Sequence, residues 1–300
     1  MDWDMPLRRA KELLEEALAN GYAVGYFESW NLESLQGVID AAEETRSPVI
    51  VGFNGEFLSH SQRLIEERLA WYGALGRAAA ESASVPCAVI FNECAQDGWI
   101  RQAVTAGFSQ VMLDDPAASR SDYMRRLVDL AAYAHAHGVA IEAEAGQLPS
   151  GVSEGGEEAS SSLTDPDMAA RMVDEAGIDI LAVSVGNVHV LLDGRQGLDL
   201  DRLAAIHAQV DIPLDLHGGT GIEGDDLKEA IGLGVAKVCY GTYVKQRYLA
   251  AVRAVLANDE INPHLVLGFG GSEDVMVAGR LAVRDAVLER IELLGCCRRA

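Results

Sequence analysis

Basic residues are scarce in this chain. Lysine and arginine number 24 against 46 aspartates and glutamates, a formal charge of −22. That balance repels a phosphate backbone and argues against nucleic-acid binding. An anionic substrate would need local help from backbone N–H groups or from a metal. Long apolar runs are also missing, so no stretch is suited to span a bilayer and no membrane partner is expected. The opening segment, Met1–Pro6, is acidic and lacks the basic and apolar regions of a signal peptide. Five cysteines in 300 residues form an odd count, which fits a reducing cytoplasm better than a disulfide framework. The neighbours Cys296 and Cys297 read as inert thiols. These absences together lead us to expect a cytoplasmic protein.

What is present is a regular alternation. Apolar residues make up 49% of the chain, enough for a sizeable core. After an amphipathic helix at Pro6–Asn20, eight runs of strand character recur: Tyr22–Phe27, Pro48–Phe53, Pro86–Phe91, Phe108–Leu113, Gly138–Glu144, Asp179–Val185, Asp211–His217 and Val235–Tyr240. They are continuous apolar runs, as expected of strands covered on both faces. Helical patterns fill the intervals, at Leu32–Asp40, Gln62–Glu81, Gly98–Ala106, Ser121–Ala136, Asp165–Ala176, Asp199–Ala208, Glu223–Leu233 and Tyr243–Leu256. Eight strands alternating with eight helices predict a (β/α)8 TIM barrel; an open doubly wound sheet usually has fewer strands. The expected organisation is a single domain over residues 1–300, with an extra N-terminal helix and a helical tail at 259–300. That tail would pack on the barrel or on a neighbouring subunit. The Gly-, Ser- and Glu-rich stretch Gln147–Ser162 reads as a lid loop after strand five.

Barrels of this kind keep their working residues just past the C-terminal ends of the strands. Those positions hold Glu28, Asn92, Glu93, Asp114, Glu142, Glu144, Gly186, His189, His217 and Cys239. Glu93, His189 and His217 form a two-histidine, one-carboxylate set suited to a divalent metal, Zn²⁺ first, with Mn²⁺, Co²⁺ or Fe²⁺ as alternatives. The run Gly218-Gly219-Thr220, before a helix, resembles an anion cradle, and Gly241-Thr242 after strand eight adds a second piece. Glu142 and Glu144 are two apart on one strand and so share a face.

The chain resembles a known family, the class II, metal-dependent fructose- and tagatose-bisphosphate aldolases. Asn31–Glu33, Arg46–Ile50, Val85–Pro86, Glu142–Glu144, Leu163–Pro166, Leu216–Ile222 and Ile291–Gly295 carry the similarity. It implies a metal that polarises a ketose carbonyl and stabilises an enediolate, with phosphate on the loops after strands seven and eight. Mapped by motif, His189 and His217 match two zinc ligands, and Glu93 stands where the family has a third histidine. Asn92 stands where it has a catalytic aspartate, and an amide cannot exchange a proton near neutral pH. Glu28 replaces an asparagine, and Cys239 replaces one that usually contacts substrate. Gly186 opens a segment in which a glycine beside His189 is lost. Asp114 and Glu144 match acidic positions, so Glu144, Asp114 or the lid carboxylate Glu154 would move the proton that Asn92 cannot.

The expected function is a metal-dependent lyase acting on a ketose or ketose phosphate with altered catalytic residues, in a homodimer or homotetramer. An isomerase or epimerase on the same site, or a non-catalytic sugar-phosphate-binding relative, are the alternatives.

Overall fold

Eight short strands, buried on both sides, close in chain order into a parallel barrel. They are β1 (Val24–Glu28), β2 (Val49–Asn54), β3 (Cys87–Cys94), β4 (Gln110–Leu113), β5 (Ala140–Ala145), β6 (Ile180–Val183), β7 (Leu214–Leu216) and β8 (Val235–Tyr240). The structure, a computed structural model, describes residues 6–149, 163–189, 193–257 and 260–300. All eight runs read from the sequence are strands. The prediction started most of them early, because apolar residues leading into a buried strand look the same as the strand itself.

Helices α1 (Ala10–Asn20), α2 (Leu32–Thr45), α3 (Gly55–Ser59), α4 (Leu69–Ser82), α5 (Asp97–Ala106), α6 (Arg120–Ala136), α7 (Pro166–Ala176), α8 (Leu200–His207), α9 (Gly224–Gly232), α10 (Thr242–Leu256), α11 (Pro263–Val266) and α12 (Val275–Ile291), with short 3-10 turns at Gly219–Gly221 and Glu292–Leu294, complete the described elements. Several of the helix starts are chemically marked. The Asn31 side chain accepts from Ser34 N and the Ser34 hydroxyl answers with the Asn31 backbone, a capping box before α2. Asp165 accepts from Met168 N, with Pro166 in the first turn of α7. The helix expected at Gln62–Glu81 begins only at Leu69, and α3 was not anticipated. Its five residues are too few for a 3.6-residue period to show.

The tail packs on its own barrel. Helix α12 lies across α2 and α10, and Arg280 grips Asp40 through two hydrogen bonds of 2.6 and 2.7 Å. Gly37 lets the helices close: a methyl group there would stand 2.5 Å from the Arg280 carbonyl oxygen.

The sequence reading of uniformly apolar strands needs correction inside the barrel. Side chains alternate along each strand, and the inward positions carry a buried polar layer: Gln110, Glu142, Asp215 and Lys237 are all fully buried. Lys237 Nζ lies 2.5 Å from Glu142 and 3.2 Å from Asp215, and it donates to Asn92 Oδ1 at 3.4 Å. Gln110 donates to the same Glu142 oxygen, Oε2, that Lys237 binds. An unpaired buried charge would be costly, and here one ammonium is matched by two carboxylates. This layer is the floor of the site.

Candidate active site

Directly above that floor, β3, β7 and the loop after β6 bring Glu93, His217 and His189 together. One donor atom from each lies within 4.8 Å of the others. His217 Nδ1 is 2.5 Å from Glu93 Oε1, and His189 Nε2 is 3.4 Å from the same oxygen. Glu93 Oε2 accepts from the Asn54 amide, which fixes the carboxylate. On its other side, His217 Nε2 faces Asp215 at 3.1 Å and Glu142 at 3.3 Å. An imidazole whose far nitrogen donates to a carboxylate presents the near nitrogen as a metal ligand.

The local backbone serves this arrangement. Glu93 has φ 49°, a left-handed angle uncommon for a side chain of its size, and the β3–β4 register shifts between Phe91 and Cys94. Strain of this kind gathers at sites where a side chain must be re-aimed. Asn187 is fully buried beneath the pair and donates to Val183 O and His217 O, tying the β6 loop to the end of β7.

A second group, Asp215, His217 and Cys239, also has donors within reach of one another. It is the weaker cation site. Lys237 already lies 3.2 Å from Asp215, so an incoming cation would meet a positive charge at that carboxylate. Burial, with Asp215 nearby, pushes the Cys239 thiol up to about 12, so it carries no charge near neutrality. Among the described residues no lysine or arginine pairs with Glu93, and the N₂O donors of its set fit a borderline divalent metal such as zinc.

Electrostatics distinguish the carboxylates. Burial alone would raise Glu93, but His189 and His217 hold it well below the usual range. Glu93 in turn lifts His189 to about 9. Burial, reinforced by Asp114, raises Glu144 to about 8, and burial together with Glu93 raises Asp114 to about 6. Burial also raises Glu28, against the opposing charge of Lys245.

Two cavities meet at this centre. A small one of about 240 Å³ is lined by Tyr26, Glu28, Asn54, Asn92, Gly218, Thr220, Cys239, Gly241, Thr242 and Lys245 among others. A larger one of about 720 Å³ runs past Asp114, Tyr123, Glu144 and Met172. Phe57, Glu93, His189 and His217 line both.

Most residues singled out in the sequence therefore share one enclosure. Gly186 does not line either cavity; it packs against the Gly197 carbonyl. Gly219 lies behind the wall, in contact with Val238 and Tyr240. Glu154 is outside the described residues. Lys237, Asp215 and Lys245 were missed. The available signal was a charge interrupting an apolar strand, Asp in Leu-Asp-Leu and Lys in Val-Ala-Lys-Val.

Comparison with known proteins bears on this geometry. The family model described as fructose-bisphosphate aldolase class-II matches residues 8–299. The fructose-bisphosphate aldolase of Thermus caldophilus is 32% identical, with 96% of this chain and 98% of the relative covered. The 6-phospho-5-dehydro-2-deoxy-D-gluconate aldolase of Halalkalibacterium halodurans is also 32% identical, over 94% and 96%. The crystal structure of the YdjI aldolase from Escherichia coli K12 superposes with a TM-score of 0.79 at 30% identity, covering 98% of this chain and 99% of that one.

Proposed function

The chain belongs to the class II fructose-bisphosphate aldolase family, and from that premise we propose that it is a metal-dependent lyase that cleaves a ketose or ketose phosphate. The observation that carries this reading is the convergence of Glu93, His189 and His217 on one point between two cavities. Those three side chains would hold the divalent cation, Zn²⁺ being the best match to the donors. When bound, it supplies Lewis acidity toward a ketone carbonyl.

The protein's own groups account for the proton traffic. Cleavage needs a base to take the proton of the hydroxyl beside the breaking bond. The bond's electrons pass to the ketone fragment, and an acid then protonates that fragment's carbon. Asn92 can do neither, and it instead accepts from Lys237. Asp114 and Glu144 face the larger cavity, where the departing aldehyde would lie. With Asp114 raised to about 6 and Glu144 to about 8, the pair offers an ionised base and a protonated acid near neutrality. The Gly218–Thr220 turn and Gly241-Thr242 would seat the carbonyl end in the smaller cavity, and Lys237 with Asp215 would keep His217 in its working tautomer.

Asn92 also supports a second reading, isomerisation or epimerisation, in which proton transfer occurs and no bond is cleaved. Incubating candidate ketoses in D₂O separates the two: free aldehyde marks a lyase, whereas deuterium uptake without aldehyde marks an isomerase or epimerase. A protein that binds no metal and does neither would refute both. The double variant Asn92→Asp, Glu93→His is expected to raise cleavage of a ketose bisphosphate, read by coupled aldehyde detection. No change would mean the pocket is organised for a different substrate.

A further inference from the structure

The small cavity holds groups expected to bind phosphate, yet its lysine and one N–H at the start of α10 are already engaged. Lys245, in the first turn of α10, is the only lysine or arginine among the described residues that line it, and its Nζ lies 2.5 Å from Glu28 Oε1. The other oxygen of Glu28 presses on Gly241, so closely that a methyl group at that glycine would collide with it. The Tyr243 N–H, one of the free donors at the start of α10, is taken by Thr220 Oγ1 at 3.3 Å. Glu28 is only 7% exposed, so water does little to screen its charge. The next cation inward, Lys237, is held by Glu142 and Asp215.

A phosphate dianion here would have to draw Lys245 away and then stand beside a buried carboxylate left without its partner. Both effects oppose binding. A hydroxymethyl group meets no such penalty. Its O–H can donate to Glu28, and its oxygen can accept from Lys245. Tyr26 points to the same kind of ligand: the residue belongs to this cavity's wall and is 2% exposed, and its buried hydroxyl has no hydrogen-bond partner among the described residues. Buried hydroxyls are rarely left unsatisfied, and a polyol hydroxyl would satisfy this one.

We propose that Glu28 makes the carbonyl end of the site selective for ketones that end in a free hydroxymethyl group, and against the corresponding phosphomonoesters. This rests on the lyase reading, because it names the substrate class of the same cavity. It works by exclusion: a carboxylate placed where the competing ligand carries its charge.

Exchange of the carbon-bound protons of dihydroxyacetone and of dihydroxyacetone phosphate in D₂O, followed by proton NMR on the metal-loaded protein, tests it. The wild type is expected to favour the neutral ketone in kcat/KM by at least about tenfold, and Glu28→Gln and Glu28→Asn to shrink that ratio by about tenfold or more. Circular dichroism establishes that the variants fold. A wild type that prefers the phosphate ester, or a ratio unmoved in both variants, overturns the proposal. If neither ketone exchanges in any variant, the lyase reading has failed, and calorimetry with inorganic phosphate still decides the present claim. No heat from the wild type up to about 10 mM phosphate, with binding by Glu28→Asn, upholds it. Equal affinity in the two proteins overturns it.

Discussion

Glu93 concentrates several demands in one residue. Its left-handed backbone angle costs on the order of 1 kcal/mol, and its carboxylate is largely withdrawn from solvent between two imidazoles and an amide. Such an arrangement serves ligation better than stability. Glu93→Gln and His189→Ala should therefore each retain less than about a tenth of the wild-type metal, measured by elemental analysis after gel filtration. His189 is the cleaner test, because it is half-buried whereas His217 is enclosed. The proposed acid–base pair, Asp114 and Glu144, makes a separate prediction. Activity should rise through about pH 6 as Asp114 ionises and fall through about pH 8 as Glu144 loses its proton. Asp114→Asn should lower kcat by roughly 10²–10⁴-fold and remove the acidic limb; Glu144→Gln should remove the alkaline one. The same shift has a stability consequence of definite sign. A carboxyl with a raised folded-state pKa contributes stability that is present below its unfolded value and lost as pH climbs through about 8. Thermal melts of Glu144→Gln should accordingly fall less between about pH 5 and pH 9 than those of wild type.

At the scale of elements, the closures that matter are made by small residues. Helix α12 sits on α2 because Gly37 presents no side chain to the Arg280 carbonyl, and Asp274 caps its start by accepting from Met276 N. Gly37→Val should force the helices apart and cost roughly 1–3 kcal/mol, as overpacking does. The check is a lowered melting temperature together with faster amide exchange over residues 275–291; an unchanged exchange pattern would contradict the packing described. Strand β3 was legible from its apolar run, yet its last turn was not. The expectation ended it at Phe91, whereas it continues through Asn92 and Glu93 to Cys94. Polar residues at that point look like a loop until neighbouring strands supply their partners.

For the molecule as a whole, the charge of −22 is spread over a surface whose positive groups are mostly paired with carboxylates. Self-repulsion of that size opposes the compact state. Added salt shortens the screening length from about 10 Å at 0.1 M to about 3 Å at 1 M. The melting temperature should therefore rise over that range in sodium chloride, measured by scanning calorimetry. A fall would mean that attractive pairs outweigh the net repulsion.

The order of apolar runs and helical patterns was enough, by itself, to determine a closed eight-stranded barrel and to put Glu93, His189, His217, Asp114 and Glu144 at its working end. That much follows from local periodicity and from one rule about where such barrels expose side chains. Which residues touch was decided only by the closed structure. Lys245 meets Glu28 from 217 positions away, and Lys237 meets Glu142 and Asp215 only once β5, β7 and β8 curve around a common axis. A buried charge is tolerable solely through its partner, and the partner is chosen by closure of the barrel, which no local pattern of residues records.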